Sequence, residues 1–189
     1  LGELMTGMST ALTEIGWDLT VLVAKSFENE VELFKKLSVS KNLSGLIISR
    51  TLRNDERFKI LTDLKVPFVA HGRSLNCDSS SWLDVDNERA FYDMTKHFIS
   101  LGHRKIAHIC GPKVYNFSMQ RIEGLKKALF ETGIQIKSDF LQVADLSFDG
   151  GKIAMDKLLK LKEFPTAVSC VSDTVAMGAM QSIRNHNLS

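Results

Sequence analysis

Arg121 and Asp173 are the polar side chains best placed for chemistry in this sequence. Arg121 stands one turn into a predicted helix, just after a Gly111-Pro112 loop that leaves an apolar run. A guanidinium there presents paired donors to vicinal hydroxyls or to a carboxylate. The ordinary alternative for a helical arginine is a solvated or internally paired side chain. Asp173 follows the apolar run Ala167 to Val171; it can accept hydrogen bonds from hydroxyls or cap the next helix, as can Ser172. His71 and Arg73 end another apolar run and fit a ligand, hinge or surface role equally.

The remaining reactive types form no set. His97, His103 and His108 have neither metal-ligand nor catalytic spacing, so solvated or internally satisfied imidazoles are expected. Cys77, Cys110 and Cys170 are unclustered and odd in number, which fits a reducing cytoplasm better than a disulfide framework. No Gly-rich phosphate fingerprint, Gly-x-Ser-x-Gly elbow or Cys-x-x-Cys pair occurs. These observations predict a binding module rather than an enzyme, with no cofactor and no metal.

Positioning these side chains falls to an alternation of helical and strand-like segments, the pattern of parallel sheets flanked by helices. Leu1 to Ile15 reads as a helix stopped by Gly16. A strand is predicted over Leu19 to Ala24, a helix over Glu28 to Leu37, and a strand over Gly45 to Ser49. Asp55 to Leu64 should be helical, Val66 to Ala70 a strand, Leu75 to Ser81 a loop, and Trp82 to Val85 a short extended crossing. Asn87 to Leu101 is amphipathic with Asp86 as its cap. Then come a strand (Lys105 to Cys110), a loop (Lys113 to Phe117), a helix (Ser118 to Thr132) and a strand (Phe140 to Ala144). A helix from about Gly150 to Leu161, the strand Ala167 to Val171 and a helix from Asp173 to Arg184 complete the pattern. That last helix is apolar on more than one face, through Val175, Ala176, Met177, Ala179, Met180 and Ile183. A helix that only covers a sheet needs one stripe, so a subunit contact is a candidate use for the rest.

Ala11-Leu12-Thr13-Glu14-Ile15-Gly16 and Ala128-Leu129-Phe130-Glu131-Thr132-Gly133 share the form Ala-Leu-x-Glu-x-Gly, each closing a helix before a strand. This echo predicts two similar lobes. Residues 1–85 would be the first lobe, lacking its first strand, and residues 86–189 the second, lacking its C-terminal part. A cleft between them would receive ligand beyond the carboxyl ends of the strands. The composition is that of a globular protein, 44% hydrophobic and 24% charged, with a net charge of only +2. So weak a basic excess leaves no electrostatic footprint for nucleic acid, and a DNA-binding domain is expected outside this chain. No membrane-length apolar stretch and no signal peptide is visible, although the chain opens without methionine and reads as a fragment incomplete at both ends.

Several segments together resemble the lactose/galactose repressor family. They are Val66-Pro67-Phe68-Val69-Ala70-His71-Gly72-Arg73, Val85-Asp86-Asn87, the run from Leu101 through Pro112, Arg121-Ile122-Glu123-Gly124-Leu125, and Ser172 through Met180. The resemblance spans essentially the whole chain. It implies a type I periplasmic-binding-protein-like α/β fold, a cytoplasmic homodimer, a small effector that is usually a sugar, and operator DNA bound through a domain absent here. It places the effector-binding arginine at Arg121 and pocket-lining positions at Asn116, Phe117, Leu146 and Ser172. The family usually has Asn or a similar polar residue where Ser172 stands, so the serine implies a shorter reach and a different effector. Leu146 replaces a wall residue that is often aromatic, and Phe148 is the expected substitute. The resemblance also places a dimer interface on the first and last helices, implicating Leu4, Met8, Ala176, Met177 and Met180. A periplasmic or transporter-associated sugar-binding protein of the same fold is the main rival reading, and a sugar- or nucleotide-processing enzyme the second.

Overall fold

A computed structural model of the chain describes residues 2–40, 43–77 and 80–188. It forms two compact units, residues 1–43 and 44–189. In the first unit, helices α1 (Gly2–Glu14) and α2 (Phe27–Ser38) lie within a residue or two of the predicted spans. The predicted start at Leu1, like loop residues Asp78 and Ser79, lies outside the described residues. α1 ends in a Schellman motif: Gly16 has φ 76°, its N–H donates to the Thr13 carbonyl, and the Trp17 N–H donates to Leu12. Ser26 caps α2 by accepting from the Asn29 N–H at 3.2 Å, with acidic residues in its first turn and lysines in its last.

The strand expected over Leu19 to Ala24 does not form. The backbone there joins no ladder, and Val21, Leu22 and Val23 are exposed. Alternating apolar residues favour extended backbone, but a strand is held by hydrogen bonds to a neighbour.

In the second unit, strands β1 (Leu46–Ser49), β2 (Phe68–His71) and β3 (Ser81–Leu83) form one parallel sheet in that order. The segment read as an extended crossing is therefore, over its first residues, a third strand, with Trp82 opposite Ala70. Helix α3 (Glu56–Asp63) links β1 to β2. Its cap, Asp55, is fully buried and accepts from the Arg57 N–H, the Arg57 guanidinium and the Leu52 N–H. Burial pushes the Asp55 carboxyl up, but the Arg57 and Leu52 hydrogen bonds and the Arg57 charge outweigh it and hold the pKa below the ordinary value.

Helix α4 (Asn87–Ser100) then leads to a second parallel sheet of β4 (Ile106–Cys110), β5 (Leu141–Val143) and β6 (Ala167–Cys170). Helix α5 (Asn116–Glu131) connects β4 to β5, α6 (Phe148–Leu159) connects β5 to β6, and α7 (Asp173–Asn185) follows. The predicted α4 cap is present, with Asp86 accepting from the Arg89 N–H at 2.9 Å. The two sheets share no strand.

β4 lies between β5 and β6 and is buried along its whole length. Its Ala107 and Ile109 face a core built with Met155 and Leu158 of α6 and Val175 and Ala179 of α7. Ile106 faces the opposite side, against Leu125 and Leu129 of α5. Successive residues of a strand point to opposite faces, so a doubly covered strand must be apolar throughout. Helices approach closely at glycines. A Cβ at Gly124 would collide with the Glu88 carbonyl oxygen of α4, and one at Gly178 with the Phe148 carbonyl oxygen of α6. Gly133 closes α5 with the same Schellman hydrogen bonds as Gly16, so the repeated Ala-Leu-x-Glu-x-Gly is a helix-stop signal used twice. Among the described residues, no helix is long and apolar enough to cross a membrane.

Candidate functional site

With strand order β5-β4-β6, the chain leaves β4 toward one side, through α5, and later returns to the other, through α6. Adjacent connections thus diverge at the carboxyl end of β4, where open parallel sheets form a crevice. The residues at that end are Gly111 after β4, Ala144 to Leu146 after β5, and Val171 to Asp173 after β6.

Arg121 reaches into this region from the second turn of α5. Its Nε donates to Asn87 Oδ1 at 2.8 Å, and Nη1 donates to the Val171 carbonyl. The guanidinium carbon lies 5.2 Å from the ring centres of both Phe91 and Phe117. Phe117 stacks in turn on Tyr115, with ring centres 5.4 Å apart. Burial pushes the Arg121 pKa down and the Asp84 carboxylate pushes it back up; a guanidinium keeps its charge regardless. Five N–H donors are available on such a group, and among the described residues these two bonds leave the Nη2 edge unspent.

The sequence-predicted neighbours divide into those the fold brings near this point and those it uses elsewhere. Ser172, at the exit of β6, is the cap of α7, accepting from the Val175 N–H at 3.4 Å. Asp173, expected either to bind ligand or to cap, is not the cap: it is the exposed first residue of α7, beside the positive end of the helix dipole. Leu146 is half-buried against the core, beside Gly111, where an added Cβ would lie 3.0 Å from its Cδ2 and 2.7 Å from Ser118 Oγ. Phe148 opens α6 and is partly exposed.

Asn116 and Phe117 belong to α5 and not to a loop. The helix begins two residues earlier than predicted because the Asn116 N–H, orphaned at a helix start, finds the Thr51 carbonyl at 3.2 Å. The buried Asn116 side chain donates to the Arg73 carbonyl at 2.9 Å. Arg53 N–H to the Val114 carbonyl (2.9 Å) joins the same two segments. Arg73 pairs with Asp84 at 3.2 Å and lies over Trp82. His71 is half-buried at the end of β2, in register with Ser49 and Leu83.

Four participants were not singled out from sequence: Asn87, Asp84, Phe91 and Val171. Asn87 was visible only as part of a motif, and Val171 acts through its backbone carbonyl, which no side-chain pattern reveals. His108 departs from expectation by being fully buried and only half satisfied. Its Nδ1 meets Ser169 Oγ at 2.9 Å, while Nε2 has no partner among the described residues. Cys110 and Cys170 are held as neutral thiols by burial, Cys170 being pushed up to about 11. Among the described residues, no three His, Cys, Asp or Glu side chains converge to hold a metal ion.

A surface groove of about 520 Å³ is lined by Arg73, Asp86, Glu88, Arg89, Tyr92, Lys127 and Glu131. Its charges are largely spent on one another, as in Lys127–Glu88 at 3.7 Å and Tyr92–Glu131 at 2.5 Å. The cluster at the β4 and β6 ends is the better site because it presents an unspent donor edge between aromatic walls.

Two parallel sheets flanked by helices, with a polar cluster beyond the strand ends, define the periplasmic-binding-protein-like class. Residues 2–189 match the family described as periplasmic binding proteins and sugar binding domain of LacI family, and the chain belongs to it. It is 35% identical over 188 residues to the HTH-type transcriptional regulator AglR of Rhizobium meliloti (strain 1021), covering 99% of this chain and 52% of that protein. The HTH-type transcriptional regulator CelR of Thermobifida fusca is 27% identical over 183 residues, covering 96% of this chain and 54% of that protein. The chain thus spans about half the length of these curated relatives. A solved CelR–cellobiose complex superposes with a TM-score of 0.89 at 27% identity, over 97% of this chain and 56% of that one. A regulatory protein of LacI family from Chloroflexus aggregans gives 0.86 at 27% identity, over 97% and 66%.

Proposed function

We propose that this chain is the effector-sensing core of a LacI-type transcription regulator and binds a polyhydroxylated small molecule, a saccharide, at the Arg121 cluster. The observation that carries the reading is the Arg121 guanidinium: half-buried, clamped by Asn87 and Val171 between two aromatic rings, with donors left over. Neutral sugars are held by directional hydrogen bonds and by apolar contact with their ring faces, which this arrangement supplies. The likeness to regulators, one of them solved with cellobiose, supports the same reading.

On this reading the protein is a cytoplasmic binding module and not an enzyme. Residues 1–85 and 86–189 form two lobes, in keeping with sheets that share no strand on either side of Val85. Operator DNA is bound by a helix-turn-helix outside these residues, and the protein is a homodimer through Leu4 and Met8 of α1 and Ala176, Met177 and Met180 of α7. Met177 and Met180 are at least half exposed on α7, opposite a face that buries Val175 and Ala179. Asn116, Phe117, Leu146, Phe148, Ser172, Asp173, His71 and Arg73 complete the proposed site, Asn116 and Arg73 by supporting it rather than by touching ligand. Calorimetric titration with mono- and disaccharides, cellobiose among them, tests the proposal. Saturable binding is the expected result, and no heat with any of them would refute it.

A further inference from the structure

We infer that Asn87 is the positioning residue that aims Arg121, a conclusion that rests on the reading of Arg121 as the ligand contact. Asn87 is buried and is the first residue of α4, immediately after the chain leaves the first sheet. Arg121 Nε can only donate, so the Asn87 carbonyl oxygen must face it, at 2.8 Å. That orientation turns the amide nitrogen toward three acceptors: Asp84 Oδ1 at 3.2 Å, the Val85 carbonyl at 3.0 Å and Gln120 Oε1 at 3.3 Å. Rotating the amide by a half-turn would set an NH₂ against the guanidinium and an oxygen against three acceptors. The side chain is therefore held in one pose.

Asp84 is fixed in its turn. Its Oδ2 accepts from the Arg73 N–H and Nε, both at 3.2 Å, and its Oδ1 from the Val85 N–H at 2.8 Å. A continuous chain of hydrogen bonds thus runs from Arg73 through Asp84 and Asn87 to Arg121 and the Val171 carbonyl at the end of β6. With Nε held by Asn87 and Nη1 by Val171, the guanidinium plane cannot rotate, and its Nη2 edge keeps one direction. Without Asn87, one bond would remain and the plane would turn about it. Positioning of this kind supplies binding without touching ligand.

The test reads the Arg121 Nε–H directly by nitrogen-15 NMR, with the signal assigned by its loss in Arg121→Lys. In the wild type, a discrete and slowly exchanging resonance is expected. In Asn87→Ala it should merge with the exposed arginines and exchange at least about tenfold faster. An unchanged resonance in Asn87→Ala overturns the assignment. If Asn87→Ala does not fold, Asn87→Ser, too short to reach Arg121, takes its place with the same expected loss. With a saccharide that binds the wild type, Asn87→Ala should weaken affinity about tenfold and have no further effect in an Arg121→Ala background. Equal losses in both backgrounds would mean that Asn87 acts independently of Arg121, which contradicts the inference. If cellobiose and the other saccharides all fail to bind the wild type, the sugar reading fails, and the resonance still decides the role of Asn87.

Discussion

Acidification should destabilise the second unit through His108, a group that the binding reading does not use. His108 lies at the centre of β4 with no exposed surface. Burial lowers its pKa from 6.5 to about 4; the Ser169 hydrogen bond opposes the shift and the nearby Arg121 charge adds to it. The unfolded chain takes up this proton near pH 6.5, whereas the folded chain resists it until about pH 4. Between those values the unfolded state binds more protons, so stability is full above the upper value and is lost as pH falls toward the lower. At about 1.4 kcal/mol per pH unit, going from pH 7 to pH 4.5 should remove about 2–3 kcal/mol. His108→Leu abolishes the effect. It should be close to neutral at pH 7.5, because it discards an unpartnered nitrogen and Ser169 Oγ keeps its bond to the Ala107 carbonyl. Urea unfolding followed by circular dichroism at several pH values would measure both proteins. Wild-type and variant curves that fall in parallel with acid would refute the reasoning.

Three further outcomes follow from the packing and caps. Gly124→Ala should cost about 1–3 kcal/mol or more, read as a lowered melting temperature, because its Cβ meets the α4 backbone at Glu88 and not a side chain that can swing aside. Ser172→Ala should cost about 1 kcal/mol and Asp173→Ala clearly less, since only Ser172 caps α7; urea midpoints in the reverse order would contradict the assignment. Glutamate at Met177 or Met180 should shift the protein toward monomer in sedimentation velocity. Unchanged dimer affinity in both variants would move the interface elsewhere.

Much of the fold was legible because its signals are local. Asp86 and Ser172 stand where caps belong, and Gly16 and Gly133 follow the helices they stop. Alternation of cores across β4 makes its apolar run unmistakable, and the single exception, His108, gave no hint of how deeply it is buried. What could not be read depends on partners distant in sequence. Leu19 to Ala24 has the pattern of a strand but no ladder, and α5 starts early because of a carbonyl 65 residues upstream, at Thr51. The candidate site divides in the same way. Arg121 stood out because the resemblance to the repressor family puts its effector-binding arginine there, whereas the hold of Asn87 upon it spans 34 residues and exists only once α4 and α5 pack.

The most direct test of the sensor reading is calorimetric titration of wild type and Arg121→Ala with the same set of saccharides. A charged hydrogen-bond donor in a partly dry site contributes about 1.5–3 kcal/mol, and about 1.4 kcal/mol is a factor of ten in affinity. Loss of Arg121 should therefore weaken binding about ten- to a hundredfold. The fold should survive, because the buried face of α5, at Ile122, Leu125 and Leu129, is untouched. A saccharide that binds the wild type and a folded Arg121→Ala with equal affinity would contradict the site proposed here.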